Sequence, residues 1–298
     1  MIDQVLHAAI VMTTPLLLAA LGGLINRIGG IVNIGLDSMM LAGALVAVIV
    51  ASGHGNWTVA LLAAGLAGAF IALLMSLTVT RLAANEIIVG LGFNILVAGA
   101  VRFFLKSVYG TSGTLGLPDT TRIPHIDILV VQEVPVLGAI LSGHDVLTWI
   151  AWMSVPATAL FLTKTRAGLR LRAAGAAPQA ARALGLDPLF IRDLSSIFAG
   201  FMAGLAGASL SIGIVGLFNE GITAGRGFIA LAAFYFGASR PGLTAIGALI
   251  FGFFDALQIR LQGDGFPSEL VQTLPYLMVV VILAALVLAA RKTRGARP

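Results

Sequence analysis

Nine stretches of this chain are apolar for long enough to cross a bilayer, and that feature decides its class. About 20 apolar residues span the hydrocarbon layer as a helix. The stretches are Val5–Ile25, Leu36–Ser52, Trp57–Thr80, Glu86–Leu105, Val146–Thr163, Leu194–Ile214, Arg226–Ser239, Leu243–Ile259 and Leu270–Ala290. The second and seventh are short and rich in glycine. All are continuous blocks rather than short segments of alternating hydrophobicity, which excludes a transmembrane β-barrel. The predicted fold is all-α: a polytopic transmembrane helical bundle of about 8–10 spans. It forms a single domain over residues 1–298.

Composition supports the same class. Charged residues are 10% of the chain, where a soluble chain carries about 25%, so most of the surface must face lipid. The 36 glycines suit helices that pack closely in a membrane. With no cysteine there is no disulfide framework, thiolate nucleophile or iron–sulfur cluster. The four histidines, His7, His54, His125 and His144, include no i, i+4 pair. A net charge of +5 would suit nucleic acid in a soluble protein. In a membrane chain the basic residues record topology instead, and no nucleic-acid partner is expected. Met1–Gln4 carries no Lys or Arg and the first apolar run is long for a signal peptide, so a retained span is expected.

Lys and Arg placement gives direction. The inner loop, residues 164–192, holds Lys164, Arg166, Arg170, Arg172, Arg182 and Arg192 against one acid, Asp187. The tail holds Arg291, Lys292, Arg294 and Arg297. Both are expected on the cytoplasmic side, and the four spans between them agree in parity. Counting back places the 107–145 loop and the N-terminus outside, with the C-terminus cytoplasmic. The outer loop, with Gly110-Thr111-Ser112-Gly113, Pro118, Pro124 and Pro135, is expected to form turns and short surface helices. In the inner loop, Pro178 is placed to start a short helix and Gly185 to end it. Ala180, Ala181, Ala183 and Leu184 give that helix an apolar side, which suits either lipid headgroups or a groove in a cytoplasmic partner.

Inverted repeats in transporters leave short, glycine-interrupted segments at corresponding places in the two halves. Here Asn33-Ile34-Gly35-Leu36 precedes the short second span and Asn219-Glu220-Gly221-Ile222 precedes the short seventh. The two spans run in opposite directions, as inversion requires. Ionisable and amide residues within spans are the candidate translocation path. They are Asn33, Asp37, Asn94, Asn219, Glu220, Arg226, Asp255 and Gln258. Asp255, Gln258 and Gln262 share one helical face. Their structural readings stand beside this one. Asp37 and Glu86 suit helix N-termini, Asn94 suits a helix–helix hydrogen bond, and Arg102, Lys106 and Arg260 suit snorkelling. There is no G-x-x-x-x-G-K-[ST], H-E-x-x-H or G-x-S-x-G, so any ATP hydrolysis belongs to a separate polypeptide.

Four segments carry a family resemblance. Asn33-Ile-Gly-Leu-Asp37-Ser-Met-Met-Leu-Ala-Gly-Ala44 resembles N-I-G-x-E-G-x-M-L-x-G-A, with Asp37 and Ser38 in place of Glu and Gly. Asn85-Glu-Ile-Ile-Val-Gly90 resembles N-E-x-I-x-G. The stretch from Gly168 to Ala181, with Arg172, Gly175, Pro178, Ala180 and Ala181, resembles G-x-x-x-R-A-x-G-x-N-P-x-A-A. Ala224-Gly-Arg226-Gly-Phe-Ile-Ala-Leu-Ala232 with Asp255-Ala-Leu-Gln258 resembles the nucleoside subgroup. Together they resemble ABC importer permeases for branched-chain amino acids, simple sugars and nucleosides, over roughly Pro15 to Ala285.

The resemblance implies a pore made with a second permease subunit, two cytoplasmic ABC ATPases and an extracytoplasmic substrate-binding protein, in a bacterial plasma membrane. It makes Arg172, Gly175, Pro178, Ala180, Ala181 and Gly185 the ATPase-coupling residues of the 164–192 loop. It implies no cofactor in this chain, and a path that lines the route without holding cargo tightly. Ala176 stands where many relatives have Glu, which removes a charge contact there. A purine-type nucleoside is the expected cargo, with a simple sugar or branched-chain amino acid as the alternative. A stand-alone secondary carrier is the alternative class, and a non-transporting scaffold is a third that the intramembrane polar residues argue against.

Overall fold

In a computed structural model of the chain, the residues described are 2–110, 113–116, 122–126 and 142–263, with isolated positions from 273 to 284. The helices are α1 (Ile2–Ile28), α2 (Leu36–His54), α3 (Trp57–Arg81), α4 (Glu86–Phe104), α5 (Val146–Lys164), α6 (Arg166–Ala176), α7 (Pro178–Ala183), α8 (Pro188–Ala208), α9 (Arg226–Phe236) and α10 (Pro241–Gly263). Seven described helical segments are long and apolar enough to cross a membrane, and α9 is a shorter apolar helix of 10–17 residues' class. These match eight of the nine apolar stretches. The ninth, Leu270–Ala290, lies largely outside the described residues.

Caps explain most of the boundaries. α8 begins at Pro188 rather than Leu194, because the Asp187 carboxylate accepts from the N–H groups of Leu189 and Phe190 (3.0 and 3.4 Å) and proline suits the first helical position. Asn85 caps α4 by accepting from Ile87 and Ile88, and Asn56 caps α3 by accepting from Thr58. Two helices change pitch at their far ends. α4 runs into a π-helical turn at Leu105–Tyr109, and α8 into another at Ser209–Val215. Both end on a glycine in the left-handed region, Gly110 and Gly216, where a side chain is disfavoured.

The loop structure differs from expectation on both sides. The described residues of the 107–145 loop hold short strands where turns and short surface helices were expected. β1 (Thr114–Gly116) pairs antiparallel with β4 (Leu217–Asn219), and β2 (His125–Ile126) with β3 (His144–Asp145). The first pair staples the 107–145 loop onto the chain just before α9, a non-local pairing that no local pattern announces. In the 164–192 loop, α6 precedes the short helix started by Pro178. Its N-cap is Thr165, whose hydroxyl accepts from Gly168 N–H (3.0 Å).

The bundle is organised by an exchange. α1 packs most extensively on α10, and α8 on α3; α1 also packs on α9, and α8 on α2; α2 packs on α3, and α9 on α10. Swapping α1, α2, α3 for α8, α9, α10 thus maps each of these contacts onto another, which is the arrangement an internal two-fold repeat produces. Close approach makes both major crossings possible. A Cβ on Gly68 of α3 would strike the Gly200 carbonyl of α8, and one on Gly252 of α10 would strike Thr13 of α1. Small residues let helix backbones meet where lipid supplies no hydrophobic driving force. Fully buried Leu16, Leu17, Met39, Met40, Phe234 and Phe251 fill the layers between.

Candidate functional site

The expected short second span proves full-length, 19 residues as α2, and it meets the short α9 at their N-termini. α9 has only 11 residues, about 16 Å of helix, roughly half the hydrocarbon layer. Its far end lies by the last turn of α1. There Arg27 donates to the Phe234 carbonyl (3.5 Å) and sits 4.1 Å from the centre of the Tyr235 ring. Arg226, at the near end, therefore lies deep in the membrane rather than at its edge. The chain reaches it through Ala224 and Gly225, both with positive φ (43° and 71°).

Three charges converge at that junction. Asp37 Oδ1 accepts from the backbone N–H of Gly227 (3.1 Å) and Oδ2 from the Thr223 hydroxyl (3.1 Å). It caps the opposite half's helix while sitting in the first turn of its own, so two positive helix ends face one carboxylate. Arg226 donates through Nε and Nη2 to Asp255 Oδ2 (3.1 and 2.8 Å) and through Nη1 to the Ile222 carbonyl (3.3 Å). Both partners are largely buried, with side chains 17% and 9% exposed. The pair fixes the unwound 219–225 approach and the start of α9 onto α10.

The amide residues also stitch backbone. Asn33 Oδ1 accepts from Gly35 N–H and Asn219 Oδ1 from Gly221 N–H, each at 3.0 Å. The same side-chain turn thus precedes both helices, in the two segments that echo each other in sequence. Asn94 accepts from Ser38 N–H (3.0 Å) and donates to the Ile34 carbonyl (3.1 Å), tying α4 to the start of α2. Glu86 accepts from Val32 N–H (2.9 Å), so it caps the neighbouring loop rather than its own helix.

The expected path residues do not all share one environment. Asn33, Asp37, Asn94, Arg226 and Asp255 spend their polar atoms on one another and on backbone. Glu220 forms an ion pair with Arg102 (2.8 Å), whose side chain is 74% exposed. Arg102 therefore reaches across to the 219–225 segment. Gln258 is half-buried one turn beyond Asp255, and its amide forms no hydrogen bond with any described residue. Gln262 is exposed, and Arg260 reaches Gln4 (3.4 Å).

At the opposite end, the 164–192 loop is anchored rather than loose. Asp193 Oδ1 accepts from the hydroxyls of Ser76 and Thr80 (2.6 and 2.9 Å), and Oδ2 pairs with Arg81 (2.9 Å). Ser195 and Ser196 both reach Asn26 Oδ1 (3.0 and 2.9 Å), and Arg192 donates to the Gly29 carbonyl (3.3 Å). Residues 192–196, just past the first turn of α8, are so bound to the ends of α1 and α3. The sequence reading missed this cluster, because Asp193 stands one residue beyond the basic run and reads as a flanking acid.

The residues expected to couple to an ATPase fall into two groups. Gly175 packs against the end of α1, where a Cβ would strike the Ile28 carbonyl, and Ala181 is buried. Arg172 and Ala180 are exposed. Pro178 takes the first position of α7, and Gly185 ends it with φ +77°. Leu184 is 80% exposed, an uncovered apolar side chain at the tip of a six-residue helix.

Comparison with known proteins places this architecture. The family model described as "Branched-chain amino acid transport system / permease component" matches residues 5–287. The nucleoside ABC transporter permease protein NupC of Lactococcus lactis is 32% identical over 92% of this chain and 89% of its own length. The guanosine ABC transporter permease protein NupQ of Bacillus subtilis is 32% identical over 95% of this chain and 92% of its own. The glucose ABC transporter permease protein TsgB13 of Haloferax volcanii is 26% identical over 94% of this chain and 76% of its own. No solved structure matches. With its polytopic helical bundle and a family match that covers nearly its whole length, the chain belongs to the branched-chain amino acid transport system permease family of ABC transporters.

Proposed function

We propose that this chain forms half of the translocation path of an ABC importer for a purine-type nucleoside. The observations that carry the cargo assignment are its 32% identity, over nine-tenths of the chain, to permeases named for nucleoside and guanosine, together with the Ala224–Ala232 and Asp255–Gln258 stretches, which resemble the nucleoside subgroup. A second permease subunit completes the pore, cytoplasmic ATPases supply the energy, and an extracytoplasmic binding protein delivers the cargo. The basic α6–α7 side faces the cytoplasm and the strand side faces out, in line with the Lys and Arg asymmetry.

The α6–α7 segment docks on the ATPase. An exposed Leu184 beside exposed Arg172 and Arg182 is the composition of a small interface: an apolar anchor with a polar rim. Anchors at Asn26, Arg81 and Asp193 carry its displacement into α1, α3 and α8. Along the path, Gln258 and the Arg102–Glu220 pair offer polar groups to cargo. Asn33, Asp37, Asn94, Asn219, Arg226 and Asp255 hold the walls those groups stand on. A Gln amide both donates and accepts, which suits a ribose hydroxyl or a nucleobase edge.

The equally similar relative named as a putative glucose permease favours a second reading, a sugar as cargo. Uptake of labelled guanosine by cells carrying the whole transporter and no other nucleoside system separates the two. Accumulation that excess unlabelled nucleoside abolishes and excess glucose leaves unchanged is expected. No guanosine accumulation, with accumulation of labelled glucose by the same cells, would overturn the nucleoside assignment and leave the permease assignment standing.

A further inference from the structure

A cleft of about 880 Å³ opens between α5 and α8, a size within the usual range for small-ligand cavities, about 300–1,000 Å³. It exists because α5 takes its packing from α1, α6 and α10 rather than from α8. Its walls are apolar: Leu66, Phe161, Phe190, Leu194, Phe198 and Phe201 line it, and Leu66, Phe190, Leu194 and Phe198 are left exposed. From Asp187 at one end to Phe201 at the other, α8 rises about 21 Å. Half of the hydrocarbon layer is about 15 Å, so the cleft runs from the membrane surface through one leaflet.

The surface end carries an uncommitted positive charge. Arg170 lines the mouth and forms no hydrogen bond or ion pair with any described residue. Arg166, one turn earlier on α6, is also exposed. The single acid at the mouth, Asp187, is committed to the N-terminus of α8, where the helix dipole answers its charge. Of the hydroxyls in the walls, Ser154 donates to the Ala151 carbonyl (2.6 Å) and Ser195 reaches Asn26 (3.0 Å), while Thr158, deeper along α5, forms no hydrogen bond with a described residue. What remains for a ligand is a leaflet-deep apolar slot under an uncommitted guanidinium.

We infer that this cleft binds an anionic phospholipid of the leaflet on the α6 side, an acyl chain lying in the slot and the phosphate on Arg170. An aqueous anion would use the guanidinium but leave the slot empty, whereas the slot and the cation together fit one amphiphile. The leaflet is the cytoplasmic one under the topology proposed above. Because α6 and Gly185–Asp187 form one wall, the lipid would brace the same segment that contacts the ATPase.

The test is photo-crosslinking in native membranes, in the assembled transporter, with a photoreactive amino acid replacing Phe198 or, as the bulk-lipid reference, Met153 on the exposed face of α5. Mass spectrometry then gives the ratio of anionic to zwitterionic phospholipid adducts at each position. One cation near the surface corresponds to about fivefold enrichment. Enrichment of that order at position 198 over position 153, abolished by Arg170→Gln, is the expected result. Equal ratios at the two positions, enrichment that survives Arg170→Gln, adducts only to protein (another subunit or residues 285–298 of this chain), or no adduct at position 198 would each overturn it. These readouts do not depend on cargo uptake, so loss of the nucleoside assignment would leave them unaffected.

Discussion

Replacing Arg226 by Met, or Asp255 by Leu, is expected to cost the folded bundle about 3–5 kcal/mol, because either change strands one buried charge without its partner. SDS titration of the purified protein in mixed micelles reads this as an earlier loss of helix. The pair is mostly buried and short, 2.8 Å at Arg226 Nη2, so little solvent screening offsets the loss. The double variant Arg226→Met/Asp255→Leu is expected to recover most of the stability, since replacing both members of a buried pair by apolar groups is often close to neutral. Asp37 should stay engaged with Thr223 and Gly227 in all three. If the single variants were as stable as the parent protein while uptake was lost, the pair would be part of the cargo route rather than its frame. If the double variant were no better than the singles, the cost would lie in packing and not in charge.

Gly175→Leu is expected to reduce uptake to background while leaving membrane insertion intact. The new side chain starts from a Cβ that has no room against the Ile28 carbonyl, so α6 must lift away from the end of α1. Gly185→Leu is expected to be milder. Nothing lies within 4 Å of a Cβ there, and the cost is conformational, about 1–2 kcal/mol for a side chain in the left-handed region. Cargo-stimulated ATP hydrolysis by the assembled transporter measures both, because a lifted coupling segment should uncouple hydrolysis from cargo without preventing hydrolysis itself. Normal uptake and normal stimulation from Gly175→Leu would count heavily against coupling through this loop.

The spans were legible in the sequence because each is a long apolar block, and lipid enforces that pattern residue by residue. Eight of the nine apolar stretches coincide with described helices, and the start that moved furthest is that of α8, where Asp187 caps the helix outside the apolar run. Pro178 and Gly185 were legible for local reasons: one fits a first helical position and the other a left-handed stop. α6 was not legible as a separate helix. It is charged along its exposed face and buries only Gly168, Leu171 and Ala174, so no apolar block marks it. The β1–β4 pairing was hidden because it joins residues about a hundred positions apart over three residues each.

The candidate site was half legible. That Asp37, Arg226 and Asp255 belong together followed from their cost in a membrane, but which atoms meet depends on α2 and α9 touching end to end. Sequence alone gave Asp37 and Glu86 to the starts of their own helices. In the structure Asp37 also caps a helix of the other half and Glu86 holds a neighbouring loop. Arg102 read as a snorkelling cation and instead pairs with Glu220. These are long-range partnerships, and residue type and spacing carry no signal for them.

Affinity purification of this chain from mildly solubilised native membranes, with mass spectrometry of what comes with it, tests the central claim most directly. The account predicts recovery of an ABC ATPase, a second permease and a substrate-binding protein, with the ATPase lost from a Leu184→Asp preparation. Recovery of the chain alone, under conditions that keep another multi-subunit membrane transporter together, would contradict it and point to a carrier that works without an ATPase.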